Sequence, residues 1–175
     1  MLNLFKQKSL SELKTNVINK ILGNKQNQWI KSYPTMYKSI EIIINASNET
    51  HLQKLDSLNE VLILKNEGMY SCAISNLKDK NIILAFPSLI KIFKSASYLR
   101  GAAIIAHELG HLIHEHSKKN IDTLKAQIEA DTYAFEVGLG EELQDFLLEF
   151  NSEESRVRVA YLTSRIVSKE KSHFV

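Results

Sequence analysis

The chain has 175 residues, 44% of them hydrophobic, which is enough for one substantial core and short for two independent domains. Its 22 basic and 20 acidic side chains leave a net charge of only +2, and the basic residues are scattered along the chain, so nothing suggests a nucleic-acid-binding surface. Cys72, the only cysteine, has no partner for an internal disulfide, and no apolar run approaches the roughly 20 residues that span a bilayer; a soluble, cytoplasmic protein is expected.

Lys6, Lys8 and Glu12 interrupt the first residues before any apolar run long enough for an export signal. Ser9 and Glu12 make a Ser-x-x-Glu capping box, and Leu10, Leu13, Val17 and Ile21 recur at helical spacing. An opening helix that ends near Gly23 and packs on the core is predicted. Asn24 to Thr35 is polar apart from Trp29, Ile30 and Tyr33, and Pro34 discourages regular structure. Residues 1–35 therefore read as a helix and connector within a single domain covering 1–175.

Ser39 to Ala46 is rich in β-branched residues and predicts a strand, whereas Glu49 to Asn59, with Leu52, Leu55 and Leu58 at three-residue steps, predicts a helix. Val61 to Lys65, Met69 to Ser75 and Asn81 to Phe86 predict three more strands, with turn signals at Asn66-Glu67-Gly68 and Asn76 to Lys80. They read as a small antiparallel sheet. Pro87 closes it, and the rest of the chain lacks proline and carries apolar residues at helical spacing. Strands followed by helices, without internal repeats, predict an α+β fold.

Ala102 to His116 reads AAIIAHELGHLIHEH. A helix places residues four apart on one face, so His107 and His111 can point at one ion in the HExxH pattern. Imidazole suits zinc, and a catalytic zinc needs a third protein ligand and an open water position. Glu108, about 100° around the helix from His107, can reach the attacking water as general base without ligating the metal. Gly110 leaves room beside the ion. A metzincin would carry a third histidine six residues after His111, preceded by a turn glycine. Ser117 occupies that place and His114 replaces the glycine, so His114 reads as a solvated helix residue and His116 falls on neither ligand position. The third ligand is sought in IEADTYAF, at Glu129 or Asp131.

In these segments the chain resembles the HExxH peptidases that include CAAX-prenyl endopeptidases and HtpX-type proteases, in a short form without their membrane helices. The resemblance rests on Ser71-Cys72-Ala73, on Asn81 to Ile90, on HELGHLIHEH with His116 five residues after His111, on Glu129-Ala130-Asp131 with Tyr133-Ala134, and on Arg158-Val159-Ala160-Tyr161-Leu162. It implies a minimal zincin-like domain: a small antiparallel sheet packed on an active-site helix, with a helical C-terminal half. It also implies a zinc ligand on the helix after HExxH and an aspartate that orients a zinc histidine. The family usually places that ligand glutamate four residues before the aspartate, where this chain has Gln127, a poor zinc ligand. Glu129, the only glutamate in the segment, is taken as the third ligand, with Asp131 orienting a histidine. The ImmA/IrrE-type peptidases, which share HELGH and a similar downstream helix, are close by pattern.

The expected activity is zinc-dependent endoproteolysis of a peptide or protein substrate. The strand Met69 to Ser75 is a candidate edge for an extended peptide, and Tyr133, Arg156 and Arg158 are candidates to stabilise the developing oxyanion. The competing expectation is a regulatory module that keeps the zincin shape and binds, or cleaves, a partner such as a transcription repressor.

Overall fold

The first helix forms where its cap places it. In the computed structural model, which describes residues 8–67, 71–77 and 80–172, Ser9 accepts from the Glu12 amide while the Glu12 carboxylate accepts from the Ser9 amide, and α1 runs over Leu10–Leu22. It buries Leu13, Val17 and Ile21 on the core as their spacing predicts, with Leu22 beside them, whereas Leu10 is exposed in the first turn. The export-signal question falls on residues 1–7, outside the described residues.

The expected connector is ordered. Lys25–Ser32 forms a 3-10 helix whose Asn27 is buried and bridges three backbone groups: it donates to the carbonyls of Ile21 and Val61 and accepts from the Ile63 amide. Trp29 adds an indole N–H bond to the Ile63 carbonyl. A buried amide that satisfies this many backbone groups acts as a latch rather than a linker.

The predicted strand at Ser39 to Ala46 is helical. It lies within α2 (Pro34–Ala46), which buries Met36, Ser39, Ile40, Ile43 and Ile44, a set recurring at steps of three and four that outweighs the β-branched composition. Pro34 occupies the first turn of α2, where its missing N–H costs nothing. Next come α3 (Glu49–Ser57), β1 (Glu60–Lys65), β2 (Ser71–Leu77) and β3 (Lys80–Ala85). Of the expected turns and strand start, residues 68–70 and 78–79 lie outside the described residues.

The sheet is mixed, not antiparallel. Its order is β1-β3-β2; β1 pairs with β3 in parallel, from Glu60 opposite Lys80 to Lys65 opposite Ala85, and β2 pairs with β3 antiparallel. The last strand enters between the first two, which pattern reading along the chain does not reveal. Asn27 and Trp29 cover the outer edge of β1, so β2 is the edge left to the rest of the molecule.

Among the described residues, the α-helices α4 (Pro87–Phe93), α5 (Tyr98–Ile113), α6 (Thr123–Glu136), α7 (Gly140–Leu147) and α8 (Glu153–Ser172), with a 3-10 turn at His116–Lys118, complete the α+β fold. Helix α5 is the axis of the core. Every residue from Gly101 to Gly110 is buried, and α2, α4, α6, α7 and β2 pack around it. Among the described residues no helix is long and apolar enough to cross a membrane.

Candidate metal centre

Helix α5 brings His107, Glu108 and His111 to one wall of a cleft of ≈ 750 Å³. The Nε2 atoms of His107 and His111 face each other at 3.1 Å. Two nitrogens on a single tetrahedral zinc, each about 2.0–2.1 Å from it, stand roughly 3.3–3.4 Å apart. The pair therefore fits one zinc ion with little adjustment.

The distal nitrogens of both rings are engaged. His107 Nδ1 lies 2.7 Å from Asp131 Oδ1, and Arg158 donates from Nε to Oδ2 and from Nη2 to Oδ1 of the same carboxylate, both at 2.8 Å. Burial pushes the Asp131 carboxyl up, but the hydrogen bonds from His107 and Arg158 and their charges outweigh it and hold it below the ordinary carboxylate range. A carboxylate that stays ionised takes the Nδ1 hydrogen of His107 and leaves its Nε2 lone pair facing the cleft. His111 Nδ1 lies 2.7 Å from His116 Nδ1. Burial, with His107, His116 and Arg158 nearby, pushes His111 down to about 3, so its imidazole is neutral at ordinary pH.

Close contact between α5 and α6 sets these distances. At Gly110 a β-carbon would stand 2.8 Å from the Ala130 Cα and 2.9 Å from the Ala130 carbonyl oxygen. The space expected beside an ion is taken up by the α6 backbone. Asp131, next to the contact, thereby reaches His107.

Glu129, on the other side of Ala130, takes a different direction. Its Oε2 lies 2.9 Å from His116 Nε2 and 3.8 Å from His114 Nδ1, and it does not line the cleft. Gln127 is the α6 residue that does. The two are about 200° apart around a helix, so only one can face α5's paired histidines. The structure thus brings together His107, Glu108, His111 and Asp131, and places Glu129 in a second grouping with His114 and His116. His114 is not simply solvated: burial and neighbouring His116 push it down to about 4, and its ring stacks on that of His116 with centroids 5.4 Å apart.

The cleft has one polar and one apolar side. Glu154 and Arg158 of α8 stand at the polar side, 3.5 Å apart as an ion pair. Leu143, Phe146 and Leu147 of α7, followed by Phe150, form the apolar wall. Cys72 and Ala73 of β2 complete the lining, and burial with the negative Glu108 nearby pushes the Cys72 thiol up, placing that edge strand beside Glu108. Of the three oxyanion candidates only Arg158 reaches the cleft. Arg156 is exposed elsewhere on α8, and Tyr133 is fully buried against Ser47, with its hydroxyl pushed up by burial.

A buried helix presenting two convergent imidazoles, one backed by an ionised carboxylate, has the make-up of a metallopeptidase centre. The model of Peptidase family M48 matches residues 38–164, and the chain belongs to that family of zinc metallopeptidases. Comparison with curated proteins gives no match, and neither does comparison with solved structures.

Proposed function

We propose that this chain is a zinc-dependent endopeptidase in which His107 and His111 hold the ion, Glu108 is the general base and Asp131 orients His107. The observation that carries the reading is the facing pair of Nε2 atoms, with the Nδ1 side of each ring tied back. When bound, zinc supplies Lewis acidity that polarises a peptide carbonyl and lowers the pKa of water from 15.7 to about 7.

The chain's own groups do the rest. Glu108 takes a proton from the attacking water and returns it to the leaving amine, so the proton balance closes on one carboxylate. Arg158, fixed by Asp131 at the cleft wall, supports negative charge developing on the carbonyl oxygen. With Glu129 drawn to His116, the amide of Gln127, the carboxylate of Glu154 and the thiol of Cys72 are among the donors that line the cleft. An extended peptide or protein segment would lie along β2, with an apolar side chain against Phe146. We place this single-domain enzyme in the cytoplasm, where the lone Cys72 would stay reduced.

The test is zinc content and cleavage of casein or a peptide library by the purified protein beside Glu108→Gln. The variant is expected to keep its zinc and lose about 10²–10⁴-fold in turnover. Absence of zinc from the wild type would sink the reading. Gln127 at the cleft favours one alternative, a regulatory module that binds a partner such as a transcription repressor; one zinc per chain with no turnover difference would favour it.

A further inference from the structure

We infer that His116 is the positioning residue for His111, and that Glu129 fixes His116 in turn. The inference rests on the proposed metal-holding role of His107 and His111. The contacts run in sequence: His111 Nδ1 to His116 Nδ1 at 2.7 Å, then His116 Nε2 to Glu129 Oε2 at 2.9 Å.

The hydrogens can be assigned from the end of this chain. A carboxylate only accepts, so His116 Nε2 carries the hydrogen that Glu129 receives, and the Glu129 carboxyl is held below its ordinary range chiefly by that bond. In a neutral imidazole the other nitrogen is then bare. His116 Nδ1 must accept, and the hydrogen between the two rings belongs to His111 Nδ1. Asp131 imposes the same order from the opposite end through His107. Two carboxylates thus direct three imidazoles so that two Nε2 lone pairs meet at 3.1 Å, an arrangement that calls for a cation between them.

Local backbone serves this contact. Glu115 adopts φ 52°, ψ 40°, the left-handed region that a non-glycine residue enters only at a steric cost. It ends α5 and turns the chain so that His116 folds back onto His111, one turn earlier in space. The His114 ring stacks on the outer face of His116.

The same geometry argues against a second ion. His114, His116 and Glu129 bring one donor atom each within 4.8 Å of one another, a spacing a metal could use. An ion there would need the His116 Nε2 lone pair, which the relay has already given to a hydrogen.

The experiment is zinc affinity by chelator competition for wild type, His116→Ala, His116→Asn, Glu129→Gln and His107→Ala, with circular dichroism to check folding. It is paired with ¹⁵N imidazole spectra of the zinc-loaded and zinc-free wild type. Expected are one zinc per wild-type chain, an affinity loss of about 10–100-fold in His116→Ala, a smaller loss in His116→Asn, whose side-chain oxygen still offers an acceptor to His111, and a hydrogen on His116 Nε2. Wild-type affinity in a folded His116→Ala, a hydrogen on His116 Nδ1, or a second zinc lost in Glu129→Gln would each overturn the relay. Failure of wild type to bind zinc, or unchanged binding in His107→Ala, would sink the metal reading instead; the zinc-free spectrum then decides the relay alone.

Discussion

Arg158 holds Asp131 through two parallel bonds of 2.8 Å, and this guanidinium, on α8, is the counter-charge for a carboxylate with 0% exposure on α6. Breaking a buried pair by removing one partner leaves the other charge without compensation, at a cost of about 3–5 kcal/mol. Arg158→Met is expected to destabilise the zinc-free protein by that amount in urea unfolding, and to weaken zinc binding through His107. A loss below about 1 kcal/mol would show that solvent, not Arg158, compensates Asp131.

Gln127 is the α6 residue that lines the cleft together with His107 and His111. Gln127→Glu replaces a neutral amide with a carboxylate, a far better zinc donor. The variant is expected to hold zinc at least tenfold more tightly, read by chelator competition. Glu154→Gln is expected to weaken binding if α8 supplies the carboxylate in its place. Indifference of both variants would remove the two residues from the metal's surroundings.

Acid stability of the zinc-free protein follows from its buried histidines. Burial is the leading cause that pushes His111 to about 3 and His114 to about 4, from an ordinary 6.5. Between those values and 6.5 the unfolded chain takes up protons that the folded chain refuses, so stability is full above 6.5 and falls as pH drops. The limiting slope is about 1.4 kcal/mol per pH unit for each histidine, and the half-buried His114 contributes less because solvent reaches it. Asp131, held below its ordinary 3.8, adds a further loss only at lower pH. Denaturant midpoints from pH 7.5 to 4.5 check the trend; a flat profile would contradict it.

The apolar wall predicts selectivity. Phe146 is 9% exposed and lines the cleft with Leu143 and Leu147. Phe146→Ala is expected to lower kcat/KM for peptides carrying a large apolar residue near the cleaved bond by about 10-fold or more, with little change for those carrying alanine there. Equal losses for both would indicate a general packing defect.

The α+β class and the grouping of His107, Glu108 and His111 are legible in the sequence; the order of the strands is not. His107, Glu108 and His111 are brought together by helical spacing alone, and the Ser9 cap and α1 by local pattern. Tertiary relationships were harder. Nothing in residues 60–85 reveals that β3 inserts between β1 and β2, because pattern gives strand identity and not strand order. Ile42 and Ile43 look like strand residues until Met36, Ile40 and Ile44 are counted at helical steps. Residue type alone favours Glu129 as a ligand, whereas its offset of about 200° from Gln127 turns it away from the cleft. His116 falls on neither ligand position of the pattern; its place five residues after His111 is legible, but the left-handed Glu115 that turns it back onto His111 is not.

Gly110 does not line the cleft, yet its missing side chain sets the separation at which α5 and α6 meet over Ala130. Asp131 and Glu129 flank that contact and reach different histidines, so one backbone spacing is the common calibration for both imidazole supports. A methyl group at this position would not poison one bond; it would offset the two carboxylate anchors in step, as a shim under a bearing displaces both ends of a shaft. Gly110→Ala should therefore cost about 1–3 kcal/mol from overpacking and lower zinc affinity more than either Asp131→Asn or Glu129→Gln alone, whereas an equally destabilising change on α1, such as Val17→Ala, should leave metal affinity as it was.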